Sequence, residues 1–230
     1  MLDLPYIKSN YLELMCELED IARRVGVKSP TLVAVTKSGS DDELAALVRS
    51  GAVNIGENRP QELRRKADLL YGLGHTPTLH EIGTLQRNKV KMIIKDVALI
   101  HSLDSLRLAD EIEKQAAAIG RHVPVLIEIN SAKEENKSGI LPSEAEELLC
   151  EVLKREHLEV RGLMTMGPAD CEEGELRGYF RETKRLFDDL GSRYGFGDQP
   201  ILSMGMSDSY RVAIEEGSTL VRVGRKLFRK

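Results

Sequence analysis

The chain has 230 residues, 33 Lys and Arg against 37 Asp and Glu, a formal charge of −4, 41% apolar and 30% charged residues. That balance excludes disordered and collagen-like classes, and its mild acidity argues against a bulk nucleic-acid or acidic-membrane binder. No stretch reaches the roughly 20 apolar residues of a membrane span, the N-terminus lacks a signal-peptide pattern, and Cys16, Cys150 and Cys171 are scattered; together these predict a cytoplasmic protein with neither a disulfide framework nor a cysteine metal motif.

Residues 5–25 predict a leading amphipathic helix. Beyond it, short apolar runs alternate with longer charged, helix-periodic segments. TLVAVT (31–36) precedes a helix at 41–51, with Asp41 and Asp42 in its first turn. AVNIG (52–56) precedes a helix at 60–72, where Pro60 suits the first helical position. TLHEIG (78–83), VALIHS (97–102) and PVLIEIN (124–130) precede helices at 85–95, 105–120 and 142–156. EVRGLMTM (159–166), PILSMG (200–205) and STLVRVG (218–224) precede helices at 174–191 and 207–217 and a last short helix, RKLF. Charged loops are expected at 131–140 and 168–174.

About eight strand–helix units, with strands apolar on both faces, predict an α/β fold: a single (β/α)8 barrel with an extra N-terminal helix. The alternative is an open doubly wound sheet, but the first turn, KSGSDD, carries no glycine-rich nucleotide-binding fingerprint. No linker or composition shift divides the chain, so residues 1–230 are expected to form one domain. With no Trp and 4% aromatics, aliphatic side chains must fill the core.

A parallel barrel places its site at the carboxyl ends of its strands. Lys37 stands there after strand 1, either as a solvated lysine or as an amine whose pKa is lowered for nucleophilic chemistry. Arg222 interrupts an apolar strand; with Leu220 and Gly224 it shares one face, Val221 and Val223 the other. Pointing inward, it pairs with a carboxylate such as Glu128 or Glu57, or donates to a ligand. The ends of strands 7 and 8 suggest a phosphate seat made by Gly205, Ser207, Gly224, Lys226 and the RKLF helix; the other reading makes Ser207 the cap of the following helix. His80 and His101 read as core histidines, and Met164, Met166, Met204 and Met206 as gap fillers.

TLVAVTK with GENRPQE, then LHEIGTLQRNK, IEINSAKEENKSG, RGLMTM and LSMGMSDSYRVAIEEGSTLVRVG, in that order, resemble the pyridoxal phosphate homeostasis family, over about residues 31–228. The resemblance implies a barrel like the N-terminal domain of alanine racemase, holding pyridoxal 5′-phosphate as a Schiff base on Lys37. It implies Asn58 near the cofactor ring and Arg222 at the pyridine nitrogen. Ser207, Gly224 and Arg225 would bind the phosphate, and Met204 and Gly205 would shape the loop. Arg225 departs from the small hydroxyl residue common in the family, so a side-chain contact there gives way to backbone donation. A donor-only guanidinium at the ring nitrogen keeps it unprotonated and disfavours transaminase-like chemistry.

Three functions compete. The first is a non-catalytic carrier that binds the cofactor reversibly and supplies it to apo-enzymes, working as a monomer without nucleic acid or membrane. The second is a cofactor-dependent amino-acid racemase, which needs two bases on opposite faces of the substrate. The chain ends soon after the eighth unit, so no second domain is expected to deliver a tyrosine; Tyr6 and Tyr210 have nothing to nominate them. The third is an unrelated phosphate-ligand barrel.

Overall fold

A computed structural model describes residues 4–134, 137–168 and 170–230. The expected charged loops fall within these residues except at positions 135, 136 and 169, which lie outside the described residues. The chain opens with α1 (Pro5–Val25), then alternates β1 (Thr31–Val35), α2 (Asp41–Arg49), β2 (Asn54–Glu57), α3 (Pro60–Gly72), β3 (Thr78–Glu81), α4 (Val90–Ile93) and β4 (Val97–Leu103). It continues with α5 (Leu106–Ala117), β5 (Val123–Ile129), α6 (Ala145–Val152), β6 (Leu158–Thr165), α7 (Glu173–Tyr194), β7 (Ile201–Ser203), α8 (Tyr210–Glu215) and β8 (Leu220–Val223). The eight strands pair in sequence order and close into a barrel. The closing pair is parallel, with Val33 opposite Arg222.

The two apolar faces of each strand serve two cores. Val33, Leu99, Leu126, Met164 and Leu220 meet inside the barrel. Val221, Val223, Leu32, Ala34 and Ile127 join the larger core with helix residues such as Leu44, Leu63 and Leu190. Both valines of β8 therefore face the helices, and Arg222 faces inward.

Local chemistry explains the boundaries. Ser40 caps α2 in a reciprocal capping box with Glu43. Pro60 is the first residue of α3, where a missing N–H costs nothing. The helix expected at 85–95 is shorter: a 3-10 turn at Arg87–Lys89 followed by α4. RKLF is not a helix but a run of turns closed by Leu227 N–H on the Gly224 carbonyl at 2.9 Å. Unlike the four residues of α4, which continue a 3-10 turn, RKLF has no preceding helical turn to extend. Among the described residues no helix is long and apolar enough to cross a membrane.

α1 closes the seam between first and last units. Its Glu17 accepts from Tyr210 Oη at 2.7 Å and from Lys226, and its Asn10 donates to the Leu227 carbonyl at 3.2 Å. Tyr6 donates to Glu43 of α2.

Candidate functional site

The carboxyl ends of the strands surround a cavity of about 940 Å³, within the size range of small-molecule sites. Lys37, Asn58, Ser207, Arg222, Gly224 and Arg225 all line it. Lys37 is exposed in the turn two residues past β1, so it is both solvated and at the cavity mouth.

Arg222 is 3% exposed. It donates to Ser203 Oγ and to the Thr165 carbonyl at 3.0 Å, both neutral acceptors, and has no salt bridge among the described residues. The ion pair open to it from sequence is not formed: Glu57 is taken by Lys66, and Glu128 acts on Arg222 through its charge. Burial lowers the Arg222 pKa to about 10, with Glu128 opposing, so the guanidinium stays cationic at neutral pH.

Behind Arg222 a buried line of polar groups crosses the barrel. Ser203 Oγ lies 3.0 Å from His101 Nδ1, His101 Nε2 lies 2.9 Å from His80 Nδ1, and His80 Nε2 lies 3.1 Å from Asn54 Oδ1. A guanidinium only donates and an amide oxygen only accepts, so the line has one polarity: Arg222 to Ser203 to His101 to His80 to Asn54. Burial holds both imidazoles neutral, lowering His80 to about 4 and His101 well below its ordinary value. The expected core histidines thus support the arginine that faces the cavity.

At the ends of β7 and β8, Ser207 Oγ accepts from Gly224 N–H at 3.3 Å and so ties the two loops together. It does not cap α8; Ser209 precedes that helix, and its hydroxyl accepts from Met206 N–H at 2.9 Å. Arg225 pairs with Asp208 across the same two loops, both side chains more than 70% exposed. Gly205 has φ +93°, and a Cβ there would lie 2.5 Å from Ala213 Cβ and 2.9 Å from Tyr210 Cα. Gly205→Ala is therefore expected to cost about 1–3 kcal/mol, read as a lowered urea midpoint.

Of two carboxyls near the site, Glu81 is no candidate from the sequence and Glu128 is one only as an ion-pair partner for Arg222. Glu81 is fully buried and accepts from Gly83 N–H at 3.3 Å; burial pushes it up to about 8. Glu128 is 2% exposed and lines the cavity. Each is a lone charge in an apolar strand, the signal that singled out Arg222.

The sequence matches the family model described as "Alanine racemase, N-terminal domain" over residues 13–229. A curated pyridoxal phosphate homeostasis protein of Aquifex aeolicus is 40% identical, over 88% of this chain and 88% of that protein. The chain belongs to the pyridoxal phosphate homeostasis protein family. PipY of Synechococcus elongatus, solved with PLP bound, superposes with a TM-score of 0.85 at 27% identity, over 97% of this chain and 100% of that one. Alanine racemase of Clostridium difficile superposes with a TM-score of 0.72 at 17% identity, over 95% of this chain and 56% of the racemase, a likeness of fold.

Within this homeostasis-family barrel, Met204 is fully buried in the outer core, where its side chain anchors the loop after β7 without lining the cavity. Two expectations for the seat are corrected. Lys226 is drawn to Glu17 and Tyr210 on the α1 side. No terminal helix stands behind the loops. The close approaches that glycine permits at 205 are to the protein's own α8. Neither Tyr6, bonded to Glu43, nor Tyr210, bonded to Glu17, lines the cavity.

Proposed function

We propose that this cavity holds pyridoxal 5′-phosphate and that the protein acts in homeostasis of that cofactor, binding it reversibly and supplying it to apo-enzymes, without robust catalysis of its own. The reading rests on one observation above all: an exposed primary amine, a buried cationic guanidinium and a serine-bridged pair of loops converge on one cavity. PipY, a structural neighbour, is described with PLP bound.

The residues present fit the group. When bound, the cofactor supplies a reactive aldehyde. Lys37 is the amine that takes it up. Arg222, held by Ser203 and Thr165, would donate to the ring nitrogen and so leave it unprotonated. Asn58 would lie beside the ring, and Ser207 with the amides of Gly224 and Arg225 would receive the phosphate, the Gly224 N–H turning to it from Ser207 Oγ. That pattern suits storage and release better than carbanion chemistry, which draws on a protonated ring. The protein works as a monomer in the cytoplasm, with residues 1–230 as one cofactor-binding domain.

Arg225→Ala tests whether backbone carries the phosphate. An exposed ion pair is worth little, so affinity for the cofactor is expected to fall by less than about 1 kcal/mol. Loss of binding in an absorbance titration would assign the contact to the side chain instead. The carrier function is tested by mixing loaded protein with a cofactor-free aminotransferase and following the aminotransferase's recovery. Recovery with no steady alanine racemisation by circular dichroism supports the carrier; sustained racemisation abolished by Lys37→Ala supports the racemase.

A further inference from the structure

Glu128 is a charged group in the cavity that the proposed function leaves unused. It stands on β5 at the inward parity of Leu126, 2% exposed yet lining the cavity. Its backbone carbonyl accepts from Ile140 N–H at 2.9 Å, but its Oε2 is buried without a hydrogen-bond partner. It forms no salt bridge with Arg222 among the described residues, so neither an ion pair nor a satisfied polar network explains its burial. A buried polar atom without a partner is costly, and such costs persist where the group is used. The charges acting on it are Asp104, beyond β4, and Arg222 on β8. Lys37, Asp170, Asp208 and Arg225 line the same cavity. Burial and then Asp104 push the carboxyl up to about 7, against the pull of Arg222. A group so placed exchanges protons at neutral pH.

We infer that Glu128 is the proton-transfer group through which an incoming primary amine displaces Lys37 from the cofactor. This rests on the proposed function. The incoming nitrogen arrives as an ammonium with three protons, and all three end on Lys37. Glu128 takes the first, freeing the lone pair to attack the carbon that Lys37 holds. The C=N double bond to Lys37 is replaced by one to the incoming nitrogen, while the other two protons cross to the Lys37 nitrogen. The electron pairs of the broken bond stay on that nitrogen. Glu128 then returns the first proton, and Lys37 departs as an ammonium. No oxidant or reductant takes part. The ligand class is a small primary amine, such as an amino acid or a lysine side chain.

The test mixes loaded protein with glycine, which arrives protonated at pH 7, or with O-methylhydroxylamine, which arrives neutral. Displacement is read by absorbance and by the fraction that borohydride no longer fixes to Lys37, per loaded protein. Glu128→Gln is expected to slow glycine by about 100-fold and O-methylhydroxylamine far less. Equal slowing of both, or an unchanged glycine rate, overturns the inference alone. If the variant does not fold, the wild-type glycine rate must inflect where infrared difference spectra show a buried carboxyl titrating; a rate without that inflection overturns it. A wild-type protein that takes up no cofactor overturns the proposed function and this inference together.

Discussion

Lys66→Met is expected to lower the free energy of unfolding by about 3–5 kcal/mol, the cost of stranding a buried carboxylate without its cation. Lys66 is 2% exposed and Glu57 fully buried, with Nζ 2.5 Å from Oε1. The same ammonium donates to the Thr36 carbonyl at 2.6 Å, and the Thr36 hydroxyl donates to Glu57 Oε1 at 2.5 Å. Glu57 Oε2 has no partner, so little remains to hold the charge once the ammonium is gone. The double variant Glu57→Gln with Lys66→Met is expected to recover most of the loss, because the uncompensated charge carries the cost. Thr36 immediately precedes Lys37, so the clip also fixes the turn that carries the amine. Urea unfolding of the three proteins decides; a single-variant loss below about 1 kcal/mol would mean the pair behaves as a solvated one.

Stability of the cofactor-free protein is expected to stay level between pH 4.5 and 6.5, the ordinary values of Glu and His, and then to fall toward pH 8. The fall is on the order of 2 kcal/mol. Glu81, raised to about 8, and Glu128, raised to about 7, keep protons in the folded state that the unfolded chain has released. Their contribution is therefore lost as pH rises through those values. His80 and His101 are depressed, so below pH 6.5 the unfolded chain takes protons that the folded one refuses, and stability is lost as pH falls. Between 4.5 and 6.5 the two pairs offset each other; above 6.5 the carboxyls act alone. Glu81→Gln is expected to remove most of the alkaline loss. Denaturation midpoints measured across pH check this, and stability that climbs from pH 6.5 to 8 contradicts it.

The barrel was legible because each strand is a short apolar run bounded by charge, and two-sided apolarity has few explanations other than a sheet covered on both faces. Arg222 was legible for the same reason: a guanidinium on the inward parity of an apolar strand must face something. Lys66 was not. It sits in the charged stretch RRK, and nothing local separates the buried lysine from its exposed neighbours. Its partner Glu57 is nine residues back on β2 and is reached only once α3 packs against that strand, whereas Ser203 and His101, 102 positions apart, are joined by the barrel's closure. Lys226 shows the converse. Proximity to Gly224 suggested a phosphate contact, yet α1 returns from the other end of the chain and offers Glu17. The RKLF helix failed because nothing helical precedes it to serve as a nucleus, as the turn at Arg87–Lys89 does for the equally short α4.

The central claim is that Lys37 takes up the cofactor covalently. The direct measurement is to incubate the protein with pyridoxal 5′-phosphate, reduce with borohydride, digest, and locate the added mass by mass spectrometry. The mass is expected on the peptide carrying Lys37 and absent from Lys37→Ala treated alike. A label on another lysine, or a Lys37→Ala protein that remains fully labelled, would contradict it.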